Sequence, residues 1–335
     1  MLSIKDNFFE TLKPAGKPDR IVNAFEFMKL IVPDPALMFT FTKIKPGGTN
    51  TDAWGVAWTW PEGQPAPIPL HTKDNLVIKD LRDWENQLAV PDVERADLDW
   101  SASIEQAGAV DRDRSLVSAF MISGIFERLH MLMGFEEALV NMMVEQEKMI
   151  ALCEALCEHR LAHARLLVEN IRPDIVLSHD DWGTKTSLFM PPDVWRKVLK
   201  PSYEKLYAYF KSEGVLVMHH SDSFMEPIAE DMAEIGIDIW QGVVPQNDIV
   251  SMQKSLAGRM VLMGGIDASV VDTSFATEEI IRNETRRACE TYGPRGHFIP
   301  CLTYGEPNLD IFPNVDATIR DEISQYNERV YGIKY

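Results

Sequence analysis

Short apolar runs that alternate with helix-forming segments are the feature that most constrains the fold of this chain. The apolar runs are residues 116–122, 174–177, 215–218, 237–240, 260–263 and 297–300. Amphipathic segments separate them, of which 135–170 is the longest. This alternation predicts a parallel sheet with crossover helices. A strand-to-strand spacing of roughly 20–40 residues favours a single (β/α)8 TIM barrel. A doubly wound sheet is the alternative, but the sequence contains neither of its glycine-rich phosphate-loop motifs.

Composition excludes several classes of protein. With 45 % hydrophobic residues, the 335-residue chain can bury a large core. A formal net charge of -18 argues against binding to nucleic acid or to an anionic membrane surface. The four cysteines form no secreted disulfide pattern, and Cys153 and Cys157 lie on one face of a predicted helix. No apolar run reaches ~18 residues, so we expect a cytoplasmic protein without a membrane span or a leader.

The first 110 residues differ from the rest of the chain. We predict a helix over 20–31, a strand over 36–44 and helix plus loop over 76–100. Between them, 51–69 is rich in tryptophan, proline and turns, which is typical of a flap. We expect 1–110 to form N-terminal helices and a flap packed on the barrel. Residues 1–335 are then a single domain, since no linker or low-complexity tract divides the chain.

Polar side chains follow the predicted strands, at the end where parallel barrels place their active sites. The strand 215–218 opens into His219, His220 and Asp222. His220 and Asp222 are two apart, so in an extended segment they leave the same side of the chain. The candidate residues at the other strand ends are Asp180, Asp181, Trp182, Gln241, Asp267, Cys301, Tyr304 and Glu306.

Zinc is the metal that this residue set suits. A catalytic zinc site takes about three ligands from cysteine, histidine and carboxylate, plus an open position. His220, Asp222 and Cys301 would supply one nitrogen, one oxygen and one sulfur. Each has a structural alternative, because a histidine at a strand end is often solvated and a cysteine often lies in the core. Asp180 and Asp181 are candidates for substrate binding or acid–base work, with helix capping as the alternative.

Five segments together resemble the uroporphyrinogen decarboxylase superfamily, over roughly residues 20–330. They are 124–136 (GIFERLHMLMGFE), 186–195 (TSLFMPPDVW), 218–222 (MHHSD), 234–240 (EIGIDIW) and 263–267 (MGGID). The resemblance implies one (β/α)8 barrel, in agreement with the strand pattern. True decarboxylases of this family hold their substrate with an arginine-rich N-terminal segment, which this chain lacks apart from Arg20.

The other branch of the superfamily comprises methyltransferases that work with a separate corrinoid protein. Their zinc site resembles His-x-Cys after one strand plus a later cysteine. Here His220 and Cys301 match, but Asp222 stands where the first cysteine would be. Glu306 is the alternative carboxylate ligand. Because a site with fewer thiolates is harder, it suits an oxygen substrate better than a thiol.

The resemblance therefore implies a zinc-dependent methyltransferase that demethylates a methoxylated, methoxyaromatic compound. The methyl group would pass to the Co(I) cobalamin of a partner corrinoid protein, since this chain carries no cobalamin domain. We expect catalytic roles for Asp181 and His219 as polar partners of the substrate. The expected substrate-binding residues are Asp180, Trp182, Phe189, Trp240 and Tyr304. A metal-free decarboxylase and a non-catalytic barrel that binds a corrinoid partner are the alternatives, and a homodimer is compatible with the sequence.

Overall fold

The central sheet is built from parallel strands. The computed structural model describes residues 1–64, 66–304 and 310–333. The strands assigned in this part of the chain are β1 (Met28–Leu30), β2 (Thr49–Thr51), β3 (Ala57–Thr59), β4 (Ile68–Pro69), β5 (Leu116–Met121), β6 (Ile175–His179), β7 (Leu216–His220), β8 (Ile239–Val243), β9 (Val261–Gly265) and β10 (Phe298–Cys301).

Helices flank and connect these strands. The α-helices of the described ranges are α1 (Ile4–Leu12), α2 (Pro35–Thr40), α3 (Trp84–Gln87), α4 (Ser101–Gly108), α5 (Ile125–Met133), α6 (Phe135–Val144), α7 (Gln146–Ile171), α8 (Pro192–Val198), α9 (Lys200–Ser212), α10 (Ala229–Glu234), α11 (Ile249–Leu256), α12 (Ala268–Val271), α13 (Glu278–Tyr292) and α14 (Val315–Tyr331). None of the helices in these ranges is long and apolar enough to cross a bilayer.

The strand order follows the chain order. The large sheet runs β1-β5-β6-β7-β8-β9-β10, and every neighbouring pair is parallel. A doubly wound sheet would instead reverse direction part-way, at a switch point. The predicted α/β barrel fold is therefore confirmed. Among the described residues the sheet has seven hydrogen-bonded strands instead of the eight of a full (β/α)8 barrel.

Side chains alternate between two buried layers. On β7, Met218 belongs to an inner cluster with Leu177, Ile239 and Met263, which fills the space enclosed by the sheet. Val217, its neighbour along the strand, belongs to the outer cluster between the sheet and the helices. Period-2 alternation of this kind is what a strand buried on both faces requires. The same alternation determines which polar side chains reach the interior of the barrel.

Five strands, β6 to β10, extend further than the sequence pattern indicates, and three of them carry the polar residues described below. The predicted runs end at residues 177, 218 and 240, whereas the structure continues β6 to His179, β7 to His220 and β8 to Val243. The register pairs His179 with His220, and His220 with Gln241. The sequence pattern ends each strand where the polar residues begin, but the backbone ladder continues through them. The imidazoles therefore lie inside the sheet rather than in the loops after it.

Two predictions for the N-terminal segment are wrong. The expected strand over 36–44 is helix α2, whose first turn is capped by the Asp34 carboxylate on the backbone N–H of Leu37 and opened by Pro35. The expected helix over 20–31 is irregular and ends in β1. Pairing of β1 with β5 overrides the helical periodicity there.

The flap segment forms a small antiparallel sheet. Strands β2, β3 and β4 pair in chain order. The Trp54 ring packs edge-on against the imidazole of His159 on α7, with ring centroids 4.5 Å apart. This contact joins the flap to the helix layer. That residues 1–335 form a single domain stays a prediction.

Candidate metal centre

Three ligand-type side chains converge inside the sheet. One nitrogen each from His179 and His220 and one carboxylate oxygen from Asp181 all lie within 4.8 Å of one another. The two imidazoles stack with their centroids 4.4 Å apart and their planes 25° apart. His220 is buried, whereas His179 and Asp181 are half-buried, so the cluster is reached from solvent. Among the described residues, it is the one group of histidine, cysteine and carboxylate side chains close enough to hold a metal ion.

Strand alternation explains why these residues meet. His179 is two residues after Leu177 and His220 is two after Met218, so both share the inner face of the sheet. Asp181 continues the same alternation two residues further. Because His179 and His220 are directly paired across β6 and β7, their rings are brought side by side. The cluster is therefore a product of register rather than of local spacing.

Gln241 fixes the orientation of the His220 ring. Its amide nitrogen donates to the Tyr304 carbonyl at 2.9 Å and to the Leu302 carbonyl at 3.4 Å, so its Oε1 faces His220 Nδ1 at 2.5 Å. An amide oxygen only accepts, so the network assigns the proton to Nδ1 of His220. The lone pair is then on Nε2, as in a metal-ligating histidine. Burial and the neighbouring His179 lower the pKa of His220 to about 3, so the ring is neutral at neutral pH.

The Glu127 carboxylate faces Nδ1 of His179, as the Gln241 amide oxygen faces Nδ1 of His220. Its Oε1 lies 3.0 Å from His179 Nδ1, at ion-pair distance but outside hydrogen-bond geometry. Its Oε2 accepts the backbone N–H of Gly124 at 3.1 Å, which holds the carboxylate at the start of α5. Burial acts to lower the pKa of His179, but Glu127, together with the charges of Asp181 and Asp180, outweighs it and raises that pKa to about 9. A carboxylate beside the second ring nitrogen is a common partner of a metal-bound histidine.

Two carboxylates stand together at the edge of the cluster. Asp181 Oδ1 accepts the backbone N–H of Asp222 at 3.1 Å. Burial raises the pKa of Asp181. Burial and the Asp181 charge raise the pKa of Asp222 to about 7. Asp222 therefore lies beside the cluster without joining the set of three close ligand atoms.

Asp180 points the other way, into the helix layer, although it was predicted to bind substrate. Its carboxylate accepts the backbone N–H groups of Phe126 and Glu127 at 2.9 and 2.8 Å, and it also accepts Trp182 Nε1 and the Tyr203 hydroxyl. It is fully buried, and a Cβ on Gly124 would come within 1.9 Å of its Cγ. Burial raises the pKa of Asp180 to about 7 despite these donors. All the hydrogen bonds of the Asp180 carboxylate go to the start of α5 and to core side chains. Asp180 therefore anchors the start of α5 to the core.

His219, for which a catalytic role is predicted, also lies outside the cluster. It shares the outer face of β7 with Val217 and is fully buried. Its ring stacks on Trp182 with centroids 4.1 Å apart, and its Nδ1 lies 2.7 Å from the Tyr207 hydroxyl. That hydroxyl donates to Ser178 Oγ at 3.1 Å. In this structure His219 is a core histidine that faces α9.

The four aromatic residues predicted to bind substrate divide into two pairs. Trp182 and Trp240 are 0 % exposed and belong to the outer core, so they do not line an open cleft. Phe189 and Tyr304 are half-buried. Phe189 stacks on Phe126, with centroids 5.5 Å apart. Only the second pair is placed where a ligand could touch it without repacking the core.

The predicted ligand set of His220, Asp222 and Cys301 is not brought together. The thiol of Cys301 lies in the inner core, and burial raises its pKa to about 12. Gln241 stands between it and His220, with its Nε2 3.8 Å from the sulfur. The side chains that do converge on His220 are His179 and Asp181, in place of Asp222 and Cys301. The alternative ligand Glu306 lies outside the described residues.

The donor set fits a divalent metal ion such as zinc. Two imidazole nitrogens and one carboxylate oxygen are a ligand set that catalytic zinc sites use, with one position left for substrate. Both histidines have an acceptor beside Nδ1, which leaves Nε2 of each for the metal. The raised pKa of His179 keeps that ring protonated at neutral pH, so metal binding there would release a proton. Sequence reasoning missed His179 and Glu127, and it named Gln241 at a strand end without giving it a role. Only the continuation of strand alternation through polar residues could have indicated the places of His179 and Gln241.

Comparison with known proteins identifies the family. The family model for uroporphyrinogen decarboxylase (URO-D) matches residues 77–308. This chain belongs to the uroporphyrinogen decarboxylase family. Two uroporphyrinogen decarboxylases, from two strains of Thermus thermophilus, are each 28 % identical to it over 180 residues, which is 54 % of this chain. The chain matches about half the length of these curated relatives, 47 %.

A solved structure extends the likeness to nearly the whole chain. A methyltransferase from Methanosarcina mazei superimposes with a TM-score of 0.67, covering 97 % of this chain and 99 % of the other. At 16 % sequence identity, this likeness establishes the fold. The predicted membership of the superfamily is confirmed by the family match.

Proposed function

We propose that this protein is a zinc-dependent methyltransferase. It would demethylate a methoxyaromatic compound and pass the methyl group to the Co(I) corrinoid of a partner protein. The observation that carries the proposal is the cluster of His179, Asp181 and His220 on the inner face of the sheet. Family membership and the full-length likeness to a methyltransferase support it.

His179, Asp181 and His220 would hold the zinc ion. Gln241 keeps the His220 lone pair on Nε2, and Glu127 stands behind the His179 ring. A zinc ion in this position supplies Lewis acidity toward the ether oxygen of the substrate. The half-buried side of the cluster leaves the approach to the metal open. A ligand set without sulfur is harder than a thiolate site and suits an oxygen donor.

The charges around the cluster favour an uncharged ether over a polycarboxylate substrate. Glu127, Asp181 and Asp222 are all close to the two histidines. Carboxylates so placed would repel a substrate with several negative charges. The ether group of a methoxyaromatic compound carries no charge. This distribution argues against a substrate that carries several carboxylates.

Phe189 and Tyr304 are the residues that we propose to contact the aromatic ring. Both keep some exposure, and the Tyr304 carbonyl is bonded to the same Gln241 amide that orients His220. The Phe189 ring is fixed by stacking on Phe126 and by an edge contact with Phe135 at 5.0 Å. An aromatic ring held by such neighbours offers a rigid apolar surface.

The test combines metal content with methyl transfer. Purified protein, before and after chelation, is supplied with zinc, a reduced corrinoid protein and a series of methoxyaromatic donors. The Co(I) absorbance reports transfer of the methyl group. We expect zinc-dependent loss of the Co(I) band in the wild type and in Gln246→Leu, a rim variant, but not in His220→Ala.

A metal-free decarboxylase is the second candidate, since the curated relatives carry that name. It predicts release of CO2 from a carboxylated substrate by chelated protein, with full activity in His220→Ala. Zinc-free protein that transfers methyl groups as fast as the zinc form would contradict the proposed metal role. Absence of transfer from every methoxylated donor, together with CO2 release, would replace the methyltransferase proposal.

A further inference from the structure

A second polar cavity lies away from the metal centre, between the flap and the helix layer. It measures about 20 Å³, which is room for roughly one to two water molecules. Its walls come from the flap, α2, α5 and α7, and from the link between β5 and α5. Trp54, Arg128, His159 and Arg160 are among its polar lining residues. Two arginines in so small a space need a source of negative charge.

Arg160 on α7 is a buried cation without a carboxylate partner. The residue is 6 % exposed. Its guanidinium donates to the carbonyl oxygens of Ser123 and Met121 and, at 3.2 Å, to Ser178 Oγ. Its Nε has no hydrogen-bond partner. Among residues 1–64, 66–304 and 310–333, no carboxylate comes within ion-pair distance of Arg160. A buried charge left unpaired in this way destabilises the fold.

Arg128 on α5 is only partly compensated. It is 5 % exposed, and its Nη1 lies 3.6 Å from Asp52 Oδ2, too far for a hydrogen bond. Asp52 is already occupied, because it accepts the backbone N–H groups of Trp54 and Val56 and the Trp58 indole N–H. The Arg128 guanidinium lies 4.6 Å from the Trp54 ring centroid. Burial lowers the pKa of Arg128 to about 10, so it stays charged at neutral pH.

The other lining groups add donors but no negative charge. The Trp54 indole N–H is buried without a partner, and so is His159 Nε2. Burial, His163 and Arg128 lower the pKa of His159 to about 3, so that ring adds no positive charge. The nearby Asp34 carboxylate lies 2.6 Å from His163 Nε2 and accepts the Leu37 backbone N–H, so it is paired with groups other than the two arginines.

We propose that this cavity binds a carboxylate group between Arg128 and Arg160. Guanidinium groups bind carboxylates through paired, charge-assisted hydrogen bonds, and the unpartnered Nη1 and Nε would supply donors. The volume limits the bound group to one about the size of formate or of a single carboxylate group. The site is separate from the metal centre, because Glu127 faces His179 while its neighbour Arg128 faces Trp54. Occupancy would tie α5 and α7 to the flap.

The test uses formate and benzoate as probes, at constant ionic strength. Intrinsic tryptophan fluorescence, to which Trp54 contributes, and the melting temperature are followed as each probe is titrated. We expect a saturable change and a concentration-dependent rise in Tm, as for a ligand that binds only the folded state. Arg160→Met should weaken binding by roughly tenfold or more through loss of a charged donor. Arg165→Met is the matched control, since Arg165 is on the same helix but pairs with exposed Glu94, at 4.0 Å.

Folding of the variant is checked in the absence of probe. Arg160→Met removes an unpaired buried charge, which offsets the loss of the donors to the Ser123 and Met121 carbonyls, so the variant should remain folded. If Arg160→Met unfolds, Arg160→Lys replaces it in the test, because lysine keeps the positive charge but lacks the paired donors of a guanidinium. A saturable response to formate or to benzoate supports the site. Saturation by benzoate at a lower concentration than by formate indicates an organic carboxylate as the ligand, and the reverse order indicates a small free anion. No saturable response to either probe, or an equal response in the Arg160 variant, overturns it.

Discussion

The inner and outer faces of the same strand ends carry similar residues with different surroundings. Inside, His179, Asp181 and His220 keep ligand atoms within 4.8 Å of one another. Outside, Asp180 and His219 are fully buried and bonded to the helix layer. Each pair of neighbours along the chain, 180 and 181 or 219 and 220, is split between the faces. Chemical type alone therefore does not distinguish a candidate ligand from an anchoring residue, whereas the strand face does.

The largest expected effect contrasts the two adjacent histidines. His220→Ala removes an inner ligand, and we expect zinc affinity to fall by roughly 1000-fold, more than is typical for loss of an outer-shell group. His219→Ala, the matched control on the outer face, should bind zinc like the wild type. Competition with a chromophoric chelator measures both. Equal losses in the two variants would show that the face of the strand does not decide metal binding.

The adjacent aspartates should show the reverse order in stability. Asp180→Ala leaves the buried donors of Phe126, Glu127 and Tyr203 unpartnered, so the free energy of unfolding should fall by about 3 kcal/mol. Asp181→Ala should lose zinc affinity with a much smaller change in stability of the metal-free protein. Urea denaturation of both chelated variants provides the comparison. A more stable Asp180→Ala than Asp181→Ala would refute the anchoring role.

A smaller effect tests the orientation of His220. Gln241→Leu removes the oxygen that accepts from Nδ1, and loss of such an outer-shell partner should reduce zinc affinity roughly 10–100-fold. Gln246→Leu is a control, because Gln246 makes a 3.4 Å contact with Asp267 at the rim. Isothermal titration with zinc provides the measurement. Unchanged affinity in Gln241→Leu would remove Gln241 from the account.

The smallest effect is expected at Cys301. Its thiol is buried in the inner core beside Gln241, so Cys301→Ala should cost about 1 kcal/mol of stability and leave the zinc content unchanged. Elemental analysis and urea denaturation of the same preparation check both statements. Zinc lost from Cys301→Ala would restore the sulfur ligand that the sequence pattern indicates.

The fold was predictable because its signal is long-range and repeated. Each of the runs 116–122 to 297–300 marks a strand of the sheet, and a parallel barrel is the arrangement that accommodates them in chain order. The N-terminal segment was not predictable in the same way. Residues 20–31 have helical periodicity, yet pairing with β5 draws Met28–Leu30 into the sheet. Pairing between strands so far apart in the sequence cannot be read from the local residue pattern.

The candidate site was predictable only in part. His220 and Asp181 were recognised because they are polar residues near strand ends, and so were Asp180 and His219, which face the other way. The predicted ends of β6 and β7 were two residues too early, so the inward–outward alternation that separates these four residues was not applied to them. The bond between Gln241 and His220 depends on the register of β7 and β8, which the sequence of either strand does not contain.

X-ray absorption at the zinc edge of the reconstituted protein tests the central claim most directly. The inner-face cluster predicts a first shell of nitrogen and oxygen alone, at the roughly 2.0–2.2 Å typical of imidazole and carboxylate ligands. It also predicts that this shell is the same in Cys301→Ala and lost in His220→Ala. A sulfur scatterer at about 2.3 Å would contradict the cluster of His179, Asp181 and His220 and bring Cys301 to the metal.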